Sequence, residues 1–308
     1  MQIEHVNCDL CGSNDYVVLW DKTECEKAGK LNSVVIRDEN GNIIHGRNVM
    51  CKRCGLVYVT PRMSREELDR FYAEDYRKIY KGGNSLEAEK RHANTAYKLI
   101  RNQCKFKPNT QIAFLDIGCS TGELVAQMHT TLGVKAYGIE PNKKRSWLME
   151  HLKLNVENCT IEDYNPGFQF DIITMLNALE HVLSPTAALT KIHSLLNDGG
   201  YVLISVPNLE NHTIHIGVDA FLSNAHLYNF TPATLAILMR KCGLIPVKAY
   251  PVIEEMGEKV YILAQKGEPN EIIYDDNVEQ KILFMFDHLS KWEEVIDMKI
   301  KIARMGFR

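Results

Sequence analysis

From Ile112 onward the chain alternates between two hydrophobic periods. Short, nearly continuous apolar runs at Ile112–Ile117, Lys135–Glu140, Phe170–Leu176 and Tyr201–Val206 are separated by longer stretches at Glu123–Leu132, Lys143–Leu154 and Thr186–Leu196. In those stretches apolar residues recur every three or four positions. The first pattern fits strands buried on both faces, the second amphipathic helices. Turn residues punctuate the series. Gly133 ends one helix, Asp198-Gly199-Gly200 stops another, and Pro232 opens a third that runs to Lys241 and ends at Gly243. Two further strands follow at Ile245–Tyr250 and Lys259–Ala264. Strands alternating with helices predict an α/β fold on a mostly parallel sheet covered on both sides.

The flanking segments carry other patterns. Residues 64–106 read as helical, with Ser64-Arg65-Glu66-Glu67 as a capping box, a break at Gly82-Gly83-Asn84-Ser85 and a resumed helix over Leu86–Cys104. Lys107-Pro108-Asn109 is a linker. Residues 278–305 form a long helical pattern, its apolar face running from Val278 through Met285, Leu289 and Trp292 to Ala303. That face can pack on the core, pair with a second copy as a homodimer, or lead into a further domain. Residues 1–62 are loop-rich with one hairpin signal, where Val34–Arg37 and Ile43–His45 flank Asp38–Asn42. The expected organisation is a small unit over 1–62, a helical lid or linker over 63–108, a core over 109–267 and a terminal helix over 268–308.

The 308 residues are 45% hydrophobic and 24% charged, as in an ordinary water-soluble globular chain. A formal net charge of -3 gives no basic excess for gripping nucleic acid. No apolar run approaches the roughly 18 residues of a membrane span. Met1-Gln2-Ile3-Glu4-His5 lacks the basic start and apolar stretch of an export signal. Nine cysteines, an odd number, fit a reduced cytoplasmic protein better than a disulfide framework.

Four of the nine form two Cys-x-x-Cys-Gly units, Cys8/Cys11 and Cys51/Cys54. The two-residue gap brings both sulfurs of a pair onto one metal ion, and the glycine permits a tight turn beneath them. Together the four thiolates suit a tetrahedral structural zinc with no position left open for catalysis. The 39 residues between the pairs exceed the usual spacing, and the hairpin fits there. A redox dithiol would need only one pair, on a βαβ pattern that neither pair has.

A strand ending in Asp116 runs into Gly118-Cys119-Ser120-Thr121-Gly122 and then a helix. Small residues let a ligand approach the backbone, and a helix N-terminus attracts an anion. The spacing is neither Gly-x-Gly-x-x-Gly nor a Gly-Lys-Ser/Thr phosphate loop. The expected anion is therefore the carboxylate of an amino-acid-like cofactor. Glu140 ends the next strand, where an acid can accept both hydroxyls of a ribose. The implied ligand carries a carboxylate or amino group and a ribose.

Leu115 to Gly122 resembles the first motif of class I S-adenosylmethionine-dependent methyltransferases, and Glu140 matches their ribose-binding acid. Phe170-Asp171-Ile172-Ile173 leading to Leu179-Glu180-His181-Val182 resembles their fourth-strand motif. Leu195 to Gly200 with Val206-Pro207-Asn208, and His226 to Phe230 with Thr231-Pro232 and Cys242-Gly243-Leu244, resemble later elements, in order over residues 112–265. The resemblance implies a Rossmann-like, seven-stranded, mostly parallel sheet. It implies that S-adenosylmethionine is held by Asp116, Gly118, Cys119, Ser120, Gly122 and Glu140, with the adenine near Ile161 and Glu162 and with Asn177 also at the cofactor. Thr160 stands where the family usually has an acid. Cys54-Gly55-Leu56-Val57-Tyr58, followed by Thr60-Pro61-Arg62 and Glu66-Glu67-Leu68, is similar to the zinc-to-helix junction of sugar methyltransferases from deoxysugar and surface-polysaccharide pathways.

Methyl transfer needs alignment, exclusion of water and often a base. His181 after the fourth strand and His226 after the fifth are candidate bases for a hydroxyl acceptor. Tyr76, with Tyr80, could line the acceptor pocket. Plainer roles stay open: a helix cap or packing for His181, a loop hydrogen bond for His226, core packing for the tyrosines. After the fourth strand stands Leu176-Asn177-Ala178-Leu179 rather than an Asn/Asp-Pro-Pro-Tyr sequence, and no Pro-Cys occurs, which argues against methylation of nucleic-acid bases. The first expectation is transfer to an oxygen of a nucleotide-linked sugar or glycan precursor. The alternatives are an RNA methyltransferase gripping RNA through the zinc unit near Lys52-Arg53, a sugar C-methyltransferase, and a non-catalytic scaffold.

Overall fold

The computed structural model describes residues 2–29, 31, 35–44, 46–70, 86–105, 111–142, 154–210, 218–222, 225–250, 259–272, 277, 280–281, 283–292 and 294. Tyr76, Tyr80, His212, His215, positions 143–153 of an expected helix, Val278, Ile282 and everything after residue 294 lie outside the described residues.

In chain order the first part holds β1 (Ile3–Glu4), β2 (Tyr16–Asp21), α1 (Lys22–Lys27), β3 (Ile36–Arg37), β4 (Ile43–Ile44), β5 (Arg47–Cys51), β6 (Val57–Val59), β7 (Arg62–Met63) and α2 (Arg65–Arg70). Then come α3 (Leu86–Gln103), β8 (Ala113–Ile117), α4 (Glu123–Leu132), β9 (Lys135–Ile139), β10 (Asn155–Glu157), β11 (Phe170–Leu176) and α5 (Pro185–Leu195). The chain continues with β12 (Leu196–Pro207), α6 (Val218–Phe221), β13 (Tyr228–Asn229), α7 (Pro232–Lys241), β14 (Leu244–Tyr250) and β15 (Lys259–Lys266).

Seven strands form one sheet in the order β10-β9-β8-β11-β12-β15-β14. Its neighbours pair in parallel, except that β15 runs antiparallel to β12 and β14. The expected seven-stranded, mostly parallel sheet is thus observed. From β8 the chain builds outward through β9 and β10, then returns to add β11 and β12 on the other side. The carboxyl ends of β8 and β11 therefore flank the switch point, where open α/β sheets bind ligands.

Both faces are covered. Leu115, Ile173, Ile204 and Ile262 pack with Leu189 of α5 and Leu235 of α7 on one side. Phe114, Ile172, Leu203 and Leu263 pack with Ala96 of α3 and Val125 of α4 on the other. Burial of each such large side chain contributes about 1.5–3 kcal/mol, which is why these strands read as unbroken apolar runs. Local signals fix the helix ends. Gly133, at φ 64°, closes α4, the Ser184 side chain caps α5, and Thr231 and Thr234 form a capping box ahead of α7.

Two expectations fail locally. Asp198-Gly199-Gly200 is not a loop, since Leu196–Pro207 is one strand. Its pairing with β11 jumps from Phe170↔Leu196 to Ile172↔Tyr201, so these residues are absorbed as a bulge. Ser64 builds no capping box either. Its amide donates to the Gln2 carbonyl, and Glu67 pairs with Arg70 one turn on.

The hairpin forms, as β3 and β4. A second sheet, β13-β6-β5-β2, crosses the boundary expected at residue 62, because β13 comes from the core and pairs Tyr228 with Tyr58. Asp9, inside the first cysteine pair, accepts hydrogen bonds from Ser184 Oγ at 2.6 Å and from the Thr186 amide at 2.7 Å. A carboxylate is favoured at the start of a helix such as α5. Lys241 of α7 donates to the Leu10 carbonyl at 2.8 Å.

Near the C-terminus residues 283–292 are helical. Met285, Leu289 and Trp292 are buried against Leu19, Met50, Leu209 and Phe221. This part of the stripe is spent on the chain's own interior, which removes it as the dimer face considered from sequence. Among the described residues no helix is long and apolar enough to cross a membrane.

Candidate functional site

The glycine turn lies at the switch point. After Ile117 the chain passes through left-handed backbone at Gly118 (φ 71°), Ser120 (φ 52°) and Gly122 (φ 76°) before entering α4. Ser120 and Asn177 are the two non-glycine residues with positive φ among the described residues. They follow the neighbouring strands β8 and β11. Such strain collects where a structure must present the backbone to a ligand.

The turn satisfies most of its own amides within the chain. Gly118 and Cys119 donate to the Ile139 carbonyl at 2.9 and 3.0 Å, and Gly122 donates to Cys119 at 2.8 Å. Ser120 donates to Glu140 Oε2 at 3.0 Å. These four amides make internal bonds, and the helix N-terminus expected to attract an anion begins beyond them, at Glu123. Glu140 gains by this. Its other oxygen accepts the Asn142 amide at 2.9 Å, and the carboxylate is held in place at the end of β9.

Asp116 lies beneath the turn, 5% exposed, and accepts a 2.6 Å hydrogen bond from the Thr174 hydroxyl. Burial pushes its carboxyl up to about 7. The Thr174 bond opposes the rise, and the charge of Glu140 adds to it. Cys119 is also buried, and a Cβ on Gly138 would meet its sulfur at 2.6 Å. Its side chain therefore packs under the turn rather than facing a ligand.

A Cβ on Gly118 would sit 3.0 Å from that of Ala178, so the bare glycine keeps the gap between β8 and β11 open. The Asn177 amide donates to Ser205 at 2.9 Å, while its Oδ1 is buried without a hydrogen-bond partner among the described residues. Asn158 ties the segment after β10 to the Glu140 carbonyl at 3.0 Å. That segment carries the buried Ile161 and the half-buried Glu162. A fixed acid, an orphaned acceptor and a bare-glycine gap fit a nucleoside cofactor with an amino-acid tail.

The two histidines meet nearby. Leu179–His181 forms a single 3-10 turn after β11. Leu227 donates to the Glu180 carbonyl and Val59 to the Leu227 carbonyl, both at 2.9 Å, which stitches the segment around His226 between this turn and β6. His181 Nδ1 donates to the Ala225 carbonyl at 2.8 Å, which assigns the lone pair to Nε2. The rings of His181 and His226 meet edge to face, with centroids 5.0 Å apart. Burial, then the charges of His181 and Lys22, pushes His226 down to about 3.

Glu180, which the sequence gives no assigned role, belongs to the same cluster. It is 1% exposed, burial raises its carboxyl, and Oε1 lies 3.8 Å from His181 Nε2. Glu180 Oε2 and His226 Nδ1 have no hydrogen-bond partner among the described residues. Donor atoms of Glu180, His181 and His226 lie within 4.8 Å of one another. The signal was present in sequence, since Glu180 adjoins His181 in an otherwise apolar stretch.

The four cysteines converge as their spacing predicts. Sulfurs of Cys8 and Cys54 are 3.4 Å apart, those of Cys11 and Cys51 3.5 Å, and all four lie within 4.8 Å of one another. A thiolate tetrahedron around zinc needs separations of roughly 3.8 Å. The two knuckles fold alike: Gly12 and Gly55 have φ of 74° and 77°, and their amides return to Cys8 and Cys51. The donor set and its geometry fit a structural zinc ion.

A seven-stranded sheet of this order, with a strained glycine turn at its switch point and a fixed acid on the next strand, defines the methyltransferase class. The chain belongs to the methyltransferase domain family, whose model matches residues 89–249, more than half its length. It is 28% identical over 117 residues to a ubiquinone biosynthesis O-methyltransferase of Bradyrhizobium sp. (strain ORS 278), covering 36% of this chain and 46% of that one. It is 29% identical over 156 residues to the protein of that name from Cereibacter sphaeroides (strain ATCC 17025 / ATH 2.4.3), covering 46% and 63% respectively. The aligned region thus spans less than two thirds of these relatives. The fold is similar to that of Burkholderia thailandensis 1,6-didemethyltoxoflavin-N1-methyltransferase, solved with S-adenosylhomocysteine. The TM-score there is 0.51 at 20% identity, over 69% of this chain and 96% of that one.

Proposed function

We propose that the protein transfers a methyl group from S-adenosylmethionine to a hydroxyl oxygen of a small molecule, with His181 as the general base. The observation that carries this reading is the placement at the carboxyl ends of neighbouring strands of Glu140, the strained Ser120 and Asn177, and His181 with its Nε2 lone pair. When bound, the cofactor supplies a methyl group made electrophilic by its sulfonium. Glu140 would accept the ribose hydroxyls, and Gly118, Ser120 and Asn177 would shape the space for the amino-acid end. Ile161 and Glu162 would border the adenine.

His181 takes the acceptor's proton at Nε2, and the Ala225 carbonyl holds its ring in the required tautomer. Buried Glu180 stands 3.8 Å from that nitrogen and can stabilise the imidazolium that forms. His226 is kept neutral by burial and serves as a packing wall. Tyr76 remains a candidate for the acceptor side.

Cys8, Cys11, Cys51 and Cys54 hold zinc in this reading. The ion fixes the turn of the β5–β6 hairpin, and β6 in turn pairs with β13 beside His226. The zinc unit therefore acts as a scaffold for the acceptor end. Oxygen as acceptor atom is supported by relatives named O-methyltransferases. The similarity of the cysteine unit to that of sugar methyltransferases makes a nucleotide-linked sugar the first acceptor class to try.

The test is incubation with isotope-labelled S-adenosylmethionine and two panels, nucleotide-linked sugars and ring-hydroxylated aromatic compounds, read by mass spectrometry. Label on an oxygen, lost in His181→Ala, is the expected result. Label on carbon or nitrogen, or transfer unchanged in His181→Ala, would refute the assignment.

A further inference from the structure

We propose that Glu89 belongs to the cofactor site and binds the α-ammonium group of S-adenosylmethionine, an assignment that rests on placing that cofactor at the glycine turn. Glu89 lies in the first turn of α3. Its two carboxylate oxygens accept hydrogen bonds from the hydroxyls of Ser120 at 3.2 Å and Thr121 at 2.5 Å. Those are consecutive residues of the turn, so the carboxylate is seated on it from the α3 side.

Ser120 is consequently held by two acids, its amide by Glu140 and its hydroxyl by Glu89. Asp116 lies beneath the same turn, tied to Thr174. Three carboxyl groups thus border a five-residue loop, four of whose amides already donate within the chain. Such a loop presents acceptors, and Coulomb attraction favours a cationic ligand group there. The amino-acid end of the cofactor carries both an ammonium and a carboxylate, and this surface selects the ammonium.

A carboxylate–ammonium hydrogen bond is charge-assisted and stronger than a neutral one. Ser120 and Thr121 also fix the Glu89 rotamer in advance, which lowers the entropic cost of using it. Glu89 could instead only dock α3 on the turn. The two roles differ in which atoms of a ligand feel the loss of the carboxylate.

The experiment is calorimetric binding to the full chain as wild type, Glu89→Gln and Glu89→Asp. The probes are S-adenosylhomocysteine, its desamino analogue, which keeps the carboxylate, and 5′-methylthioadenosine, which lacks the amino-acid end. Glu89→Gln should weaken S-adenosylhomocysteine binding about tenfold or more while changing the other two probes less than about twofold. Glu89→Asp, which keeps the charge, should fall between. Unchanged 5′-methylthioadenosine binding also certifies that the variant is folded. Equal losses for all three probes, or no loss for any, would overturn the assignment. Failure of the wild type to bind any probe would overturn the cofactor placement itself, and the assignment with it.

Discussion

Replacing Asp116 by Asn should stabilise the ligand-free protein, and by more as pH rises. Asp116 is buried under the turn, and its carboxyl is pushed from an ordinary 3.8 up to about 7. A folded-state value above the unfolded one means that the folded chain keeps a proton the unfolded chain has released. Below about pH 4 both states hold the proton and nothing is lost. Between about pH 4 and 7 stability falls as pH rises, and above that the loss is complete. A shift of about three units at about 1.36 kcal/mol each gives about 4 kcal/mol as an upper bound at pH 8.

Asn is close in shape, carries no charge at either pH and can still accept the Thr174 hydroxyl now bonded at 2.6 Å. Urea unfolding of both proteins at pH 4 and pH 8 should therefore give coincident midpoints at the lower pH and a more stable variant at the higher. Equal stability at pH 8, or a less stable variant there, would refute the reasoning. The same strain favours a cationic ligand, so binding of S-adenosylmethionine should strengthen with pH through about 7, and more steeply than that of uncharged-sulfur S-adenosylhomocysteine.

Two other perturbations separate scaffold from chemistry. His226 is held down to about 3, so His226→Gln should leave the pH–rate profile between pH 5 and 9 in place, whereas His181→Ala should lower kcat by about a hundredfold or more; a loss of that size in His226→Gln, with His181→Ala still active, would exchange their roles. Cys54→Ser should lower bound zinc well below one ion per chain by metal analysis and lower the thermal midpoint, because β6 and its pairing with β13 follow directly on that knuckle. Full zinc content in that variant would contradict the four-thiolate site.

What was legible in the sequence was what local chemistry decides. Glu123–Leu132, Phe170–Leu176 and Pro232–Lys241 have the observed bounds because Gly133, the apolar run and Thr231-Pro232 act within a few residues. The convergence of Cys8, Cys11, Cys51 and Cys54 was legible for the same reason, since each pair is a repeated turn. Long-range pairing was not. Nothing local says that Tyr228 pairs with Tyr58, or that this pairing carries His226 to His181. The partners of the turn's amides were not legible either, because Gly-x-x-x-Gly reports flexibility and not where each N–H points. The parts played by Glu180 and Glu89 were not legible, because burial and hydrogen bonding are set by tertiary structure. Asp198-Gly199-Gly200 has the local chemistry of a helix stop, and sheet pairing makes it a bulge.

Calorimetric titration of S-adenosylhomocysteine into wild type and Glu140→Ala decides most directly whether the turn holds this cofactor. Glu140 is fixed by the Ser120 and Asn142 amides at 3.0 and 2.9 Å, so its loss removes a preset acceptor pair. Binding at one site per chain that weakens by about ten- to a hundredfold in Glu140→Ala is the predicted result, the range of a charge-assisted hydrogen bond. No heat at millimolar ligand, or equal affinity in both proteins, would contradict it.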